Sequence, residues 1–331
     1  MIRLAPALAM ALALSSSAAQ AACRGADLFP SLKQQAPALI ADVVRDAEHM
    51  PYGRGRLFRV TKAGVAPSHL FGTVHLADPR AALGARAQEA LRQARVVALE
   101  LEAADRFAHP ETWGVGGRGL LRALLAASEE RAERLLPPDA VARLEAILPT
   151  YRLPASAARS FKPAVLAFLL SAPPCLMKGG ATDLFLDAAI AREARALGIP
   201  VVGLETVTEQ LDAVAGLPLA VQRDLLVVAM ALHSHGEDLV ETALRLYEAG
   251  ELGLLLSWMR HPRPVPGMTA DLPAAFLETM LDRRNRVMHE RALPLLAEGR
   301  AFIAVGAAHL PGEAGLARLI AQSGYHVEAI E

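Results

Sequence analysis

The chain has 331 residues, with 34 Lys and Arg against 35 Asp and Glu, ten His and two Cys. Its charges are scattered rather than gathered into runs, which excludes the basic footprint of a nucleic-acid binder. Beyond the first residues no apolar stretch is long enough to cross a bilayer, so no membrane span is expected.

Met1-Ile2-Arg3 is a short basic start, Leu4 to Leu14 is apolar, and Ser15 to Ala21 is rich in small residues. Ala19-Gln20-Ala21 fits the Ala-x-Ala rule, so residues 1–21 are expected to be a secretory signal peptide. Residues 22–331 would then be one exported domain, periplasmic or secreted. Cys23 raises a rival reading, an acylated lipoprotein cysteine; Gln20 weighs against it, because such signals usually carry Leu at that place. In an oxidising compartment a Cys23–Cys175 disulfide is the simplest expectation, with a pair of free buried thiols as the alternative. The two cysteines lack the spacing of a metal pair.

Leu57 to Val60 and His69 to Val74 read as a hairpin around Lys62-Ala63-Gly64. Ala81 to Ala94 has helical periodicity, and Val96 to Glu100 is a buried strand expected beside the one carrying His75. A first helical block follows at about 105–198, with helices expected over Leu120 to Leu136, Asp139 to Leu148, Pro163 to Leu170 and Thr182 to Leu197. Val201 to Glu205 is the next strand. A second helical block at about 208–299 is broken by Pro262 to Pro266. Strand Phe302 to Val305, helix Ala314 to Ser323 and strand Tyr325 to Ile330 close the chain. The fold class expected is α/β: a central, mostly parallel sheet of early and late strands, flanked by helices, with two large helical insertions.

Two of these strands end alike, in Gly72-Thr73-Val74-His75 and Gly306-Ala307-Ala308-His309. A parallel sheet gathers its carboxyl ends along one edge, where ligands bind, so the two histidines can meet there. Imidazole nitrogen with carboxylate oxygen suits a divalent cation, with zinc, manganese and cobalt all compatible. Glu100 is the best carboxylate partner. Glu102, two residues on, would act as general base if it shared that face, or simply lie past the strand end in solvent. Glu205 has three readings: a further ligand, a hydrogen-bond partner to a histidine, or an anion at a helix start. Asp183 reads as a helix-start charge. Arg284 beside Asn285 could steady an oxyanion or form part of a solvated helix face. Gly114-Val115-Gly116-Gly117-Arg118-Gly119 matches a dinucleotide-binding pattern with no strand before it, and His233-Ser234-His235 reads as a helix end.

Leu70 to His75, the Glu100 strand, Gly203-Leu204-Glu205-Thr206 with Glu209-Gln210, Arg284-Asn285, and Val305 to Leu310 followed by Gly312 and Gly315 together resemble the TraB/GumN family. That family is related to the Tiki metalloproteases and the erythromycin esterase/ChaN-like group. The resemblance covers about Leu57 to Ile330. It implies an α/β core with a metal site, His75 and His309 as ligands, Glu100 as ligand or base, and Arg284 and Asn285 as accessory polar groups. The expectation is a periplasmic metal-dependent hydrolase acting on a peptide or other small polymer. The alternative is a non-catalytic binding protein for a peptide, haem or polysaccharide fragment.

Overall fold

A computed structural model describes residues 23–76, 78–102, 124–177, 186–261 and 273–331. The N-terminal residues expected to form a signal peptide, the Gly114–Gly119 run, Asp183 and Pro262 to Pro266 lie outside the described residues.

Six strands form one mixed sheet: β1 (Leu57–Lys62), β2 (Val65–Thr73), β3 (Val96–Leu101), β4 (Val201–Glu205), β5 (Ala301–Gly306) and β6 (His326–Ala329). Their spatial order is β4-β3-β5-β2-β1-β6. β2, β5, β3 and β4 run parallel, while β1 pairs antiparallel with β2 and β6. The hairpin is present as expected, and its turn places Gly64 at φ +76°, a conformation that costs glycine little.

One neighbour differs from the sequence expectation. The Glu100 strand does not lie beside the His75 strand, because β5 inserts between them, with Thr73 opposite Gly306 on one side and Leu99 opposite Ala304 on the other. The late strand is almost wholly apolar, Ala301 to Val305, and all five residues are buried. A run without polar alternation fits only a strand covered on both faces, hence the middle of the sheet.

Helices Leu186–Ala196 and Arg284–Glu298 pack on the parallel strands. Phe71 of β2 stacks on Phe302 of β5 with ring centroids 6.1 Å apart. The central core joins these rings to Leu57, Leu99, Ile303, Tyr247 and Met288, all buried. A second core lies within the helical blocks, around Leu144, Leu148, Leu166, Leu170 and Leu226. A third gathers Phe29, Leu32, Val43 and Val228 about Trp258.

Most expected helices appear, including Pro138–Ile147 and Pro163–Ser171. The continuous Leu120 to Leu136 helix does not, over its described part. There Leu125 bridges Phe161, Ser128–Glu130 is a single 3-10 turn, and Ala132–Leu135 is one short turn before Pro137. The Glu130 carboxylate accepts the Ala127 N–H, a local bond that competes with helix continuation. Cys23 and Cys175 stand at disulfide distance, with Cα atoms 5.4 Å apart.

Candidate functional site

The four parallel strands deliver their carboxyl ends to one edge in the order Glu205, Glu100, His309, His75. His75 lies two residues beyond β2, on the open side, where 62% of its side chain is exposed. Its Nδ1 donates to Asp187 Oδ2 at 3.1 Å, and Asp187 Oδ1 accepts the Thr73 hydroxyl at 2.8 Å. The Asp187 carboxylate raises the His75 pKa, against the opposing effect of desolvation.

His309 ends a 3-10 turn, Ala307–His309, that follows β5 directly, and it is buried. Its Nδ1 lies 2.7 Å from Asn285 Oδ1, and Asn285 Nδ2 donates to the Ala314 carbonyl at 2.8 Å. Its Nε2 faces Glu100 Oε1 at 3.6 Å. Burial pushes the His309 pKa down to about 4, against the pull of Glu100.

Glu100 is the second-last residue of β3. Its Oε1 also accepts the Gly306 N–H at 2.6 Å, and its Oε2 accepts from Arg284 Nη2 at 2.7 Å. Burial works against ionising this carboxyl. Electrostatic interactions with His309, Arg284 and His75, together with the Gly306 N–H, outweigh that and hold it well below the usual carboxylate range. Arg284 opens the Arg284–Glu298 helix after a π turn, Glu278–Arg283, and also grips Glu205 through Nε and Nη2 at 2.6 to 3.0 Å. Gln210 Nε2 reaches Glu205 at 3.2 Å and Glu100 at 3.4 Å.

The structure thus brings His75, His309 and Glu100 together and places Arg284 behind them. Glu205 faces Arg284 rather than either ring. Glu102 is not brought in. β3 ends at Leu101, and Glu102 follows in a turn, exposed, with its carbonyl accepting from Arg195. Asn285 does not point its amide at open space either, since both its functional atoms are engaged. Glu209 acts as a helix cap: its carboxylate takes the Thr206 N–H at 2.8 Å while Thr206 Oγ1 accepts the Glu209 N–H at 3.1 Å.

Asp187 was not singled out from sequence. A signal existed: it shares the buried helix face with Ile190, Ala191 and Ala194, three, four and seven residues on, where a carboxylate needs a partner. Thr73 was legible only as part of the Gly-x-x-His run.

Two glycines make room for this arrangement. A Cβ on Gly72 would come within 3.2 Å of Ala307, so glycine lets the His309 turn rest closely on β2 without displacing it. A Cβ on Gly306 would stand 3.0 Å from Glu100 Oε1, 3.5 Å from the His309 ring and 3.8 Å from His75 Nε2. The space in front of Gly306 is therefore a cradle bounded by a carboxylate oxygen and two imidazole rings. Two ligands about 2.1 Å from a tetrahedral zinc ion lie roughly 3.4 Å apart, close to the 3.6 Å between His309 Nε2 and Glu100 Oε1. The donor set and the cradle fit a divalent cation. Among the described residues no three donors already stand at coordinating distance of one point. Two are in place, with His75 on the open side.

The fold is of the α/β class with a largely parallel sheet, and its paired histidines and carboxylates lie at the carboxyl edge, where ligands bind in such sheets. A model of the TraB/PrgY/gumN family matches residues 56–329. The chain belongs to that family, and the match takes in every strand of the sheet. No curated protein and no solved structure matches the chain.

Proposed function

We propose that this protein is a metal-dependent hydrolase of an exported compartment, with a peptide as the favoured substrate class. The observation that carries this reading is the Gly306 cradle, where His309 Nε2 and Glu100 Oε1 face each other and His75 borders the opening. His75, His309 and Glu100 would hold the ion. When bound, a divalent cation supplies a Lewis acid that polarises a carbonyl and acidifies water. The protein's own groups do the rest. Arg284 fixes Glu100 through Oε2, so that Oε1 is left to act as ligand or proton acceptor. Asp187 orients the His75 ring through Nδ1, as carboxylates commonly do behind metal-binding histidines. The exposed side of His75 gives substrate and water their way in.

Export is supported by the Cys23–Cys175 pair, which an oxidising compartment would keep joined. A binding role without catalysis has one observation in its favour: Arg284 occupies both Glu100 and Glu205, and Glu102 is out of reach. The test is elemental analysis of the purified mature protein beside His75→Ala and His309→Ala, followed by a peptidase screen with and without chelator. Near-stoichiometric metal lost in both variants, with chelator-sensitive cleavage by the wild type, is the expected result. Metal without any cleavage would favour the binding role. No metal after reconstitution with zinc, manganese and cobalt would overturn the metal centre.

A further inference from the structure

Asn285 has a side chain whose two ends are both committed. Its Nδ2 can only donate, and it donates to the Ala314 carbonyl at 2.8 Å. That bond fixes the amide orientation and turns Oδ1, which can only accept, toward His309 Nδ1 at 2.7 Å. The contact is a hydrogen bond only if Nδ1 carries the proton. The neutral ring then has a lone pair on Nε2, aimed at Glu100 Oε1 3.6 Å away. Glu100 Oε1 already accepts the Gly306 N–H at 2.6 Å. Two acceptors therefore confront each other at a buried point.

The other tautomer would relieve this. With the proton on Nε2, His309 could donate to Glu100, and the pair would close on itself as an ordinary buried hydrogen bond. Asn285 opposes that by making Nδ1 the favoured proton site. The anchor for Asn285 is itself built in: Gly312 adopts φ +97°, the Gly315 N–H donates to the Gly312 carbonyl at 3.0 Å, and a Cβ on Gly315 would strike the Leu310 carbonyl at 2.4 Å. This tight loop carries the Ala314 carbonyl back to the Arg284–Glu298 helix.

We propose that Asn285 is a positioning residue that selects the Nδ1–H tautomer of His309 and so reserves Nε2 and Glu100 Oε1 for a cation. This rests on the metal-centre reading for its purpose, but not for its geometry. It also changes the role expected from the sequence, where Asn285 was a candidate for steadying an oxyanion.

The test is a long-range proton–nitrogen correlation spectrum of the metal-free, full mature chain with labelled histidine, at neutral pH. It compares wild type with Asn285→Leu and Asn285→Asp, and zinc affinity is measured on the same samples. The expected result is Nδ1–H for His309 in the wild type and a switch toward Nε2–H in Asn285→Leu. Asn285→Asp, which keeps an acceptor at that place, should retain the wild-type tautomer. Zinc binding in Asn285→Leu should weaken by about 10- to 100-fold. A wild-type His309 with its proton on Nε2, or on both nitrogens, would overturn the proposal even if no variant folds. An unchanged tautomer in a folded Asn285→Leu protein would overturn it as well. The expected tautomer switch in a wild type that binds no zinc would support tautomer selection while removing the metal centre.

Discussion

Gly306 makes the sharpest prediction at the scale of single residues, because its backbone has φ −49° and any L-residue could adopt it. Gly306→Ala should therefore fold normally and act only through the methyl group, which would sit 3.0 Å from Glu100 Oε1. Metal uptake and any metal-dependent activity should fall at least tenfold on the order expected for disturbed ligand geometry, with thermal stability unchanged. Full metal content in that variant would contradict the cradle. Arg284 is the opposite case. Its charge is held up by two carboxylates against the cost of burial, and its removal leaves both uncompensated. Arg284→Met should cost about 3–5 kcal/mol in denaturant unfolding. Adding Glu205→Gln should recover part of that loss, since one of the stranded charges is then gone. No recovery would mean that the three side chains are not coupled as their contacts imply.

At the scale of elements, the stretch after His75 is pinned to the Gly236–Glu248 helix by charge. Arg80 donates to Asp78 through Nε and Nη2 and to Glu241 through Nη1 and Nη2, and Glu241 also accepts from Arg245. Bonds from Arg80 lower the pKa of both Asp78 and Glu241. Carboxylates with depressed folded values stabilise the protein above their unfolded pKa and lose that contribution as pH falls through the folded values. Melting temperature should therefore drop from pH 5 toward pH 3 more steeply in wild type than in Arg80→Ala, and the two curves should converge at the acid end. Parallel curves would rule out this anchor. The elements themselves were largely legible in the sequence. Val96 to Glu100 and Ala301 to Val305 are apolar without alternation, which marks central strands, and the Gly-x-x-His endings located two ligand candidates. What local pattern could not give was adjacency. Nothing in β2 or β3 says that a strand more than two hundred residues away will lie between them. Glu102 shows the same limit on a smaller scale, since the face it would share depended on where β3 ends. Asn285 and Arg284 could be picked out as polar neighbours, yet their tasks were set by partners from three different elements.

At the scale of the whole molecule, the Cys23–Cys175 link closes a separation of 152 residues. It ties the segment before Phe29 to the helical blocks, where Arg24, Ala26 and Leu28 donate their backbone N–H groups to Glu237, Asp238 and Thr242. Replacing both cysteines by serine should lower unfolding stability by about 2–5 kcal/mol, read as a reduced urea midpoint. Reductant should lower the wild type to the same midpoint and leave the variant unmoved; a variant as stable as oxidised wild type would show that the link carries no stability. The position of β5 has another consequence, one of timing. During synthesis β1, β2, β3 and β4 all emerge while the place between β2 and β3 is empty, and they can form only two separate ribbons with raw edges. Neither ribbon holds both histidines. A chain halted short of His309 is thus not a feeble version of the finished protein but one with no site. Because the last join spans residues 73 to 301, it is also a slow, non-local closure. The polypeptide would stay open and threadable until almost its full length has been made, and the candidate site would be complete only after β5 slides in between β2 and β3.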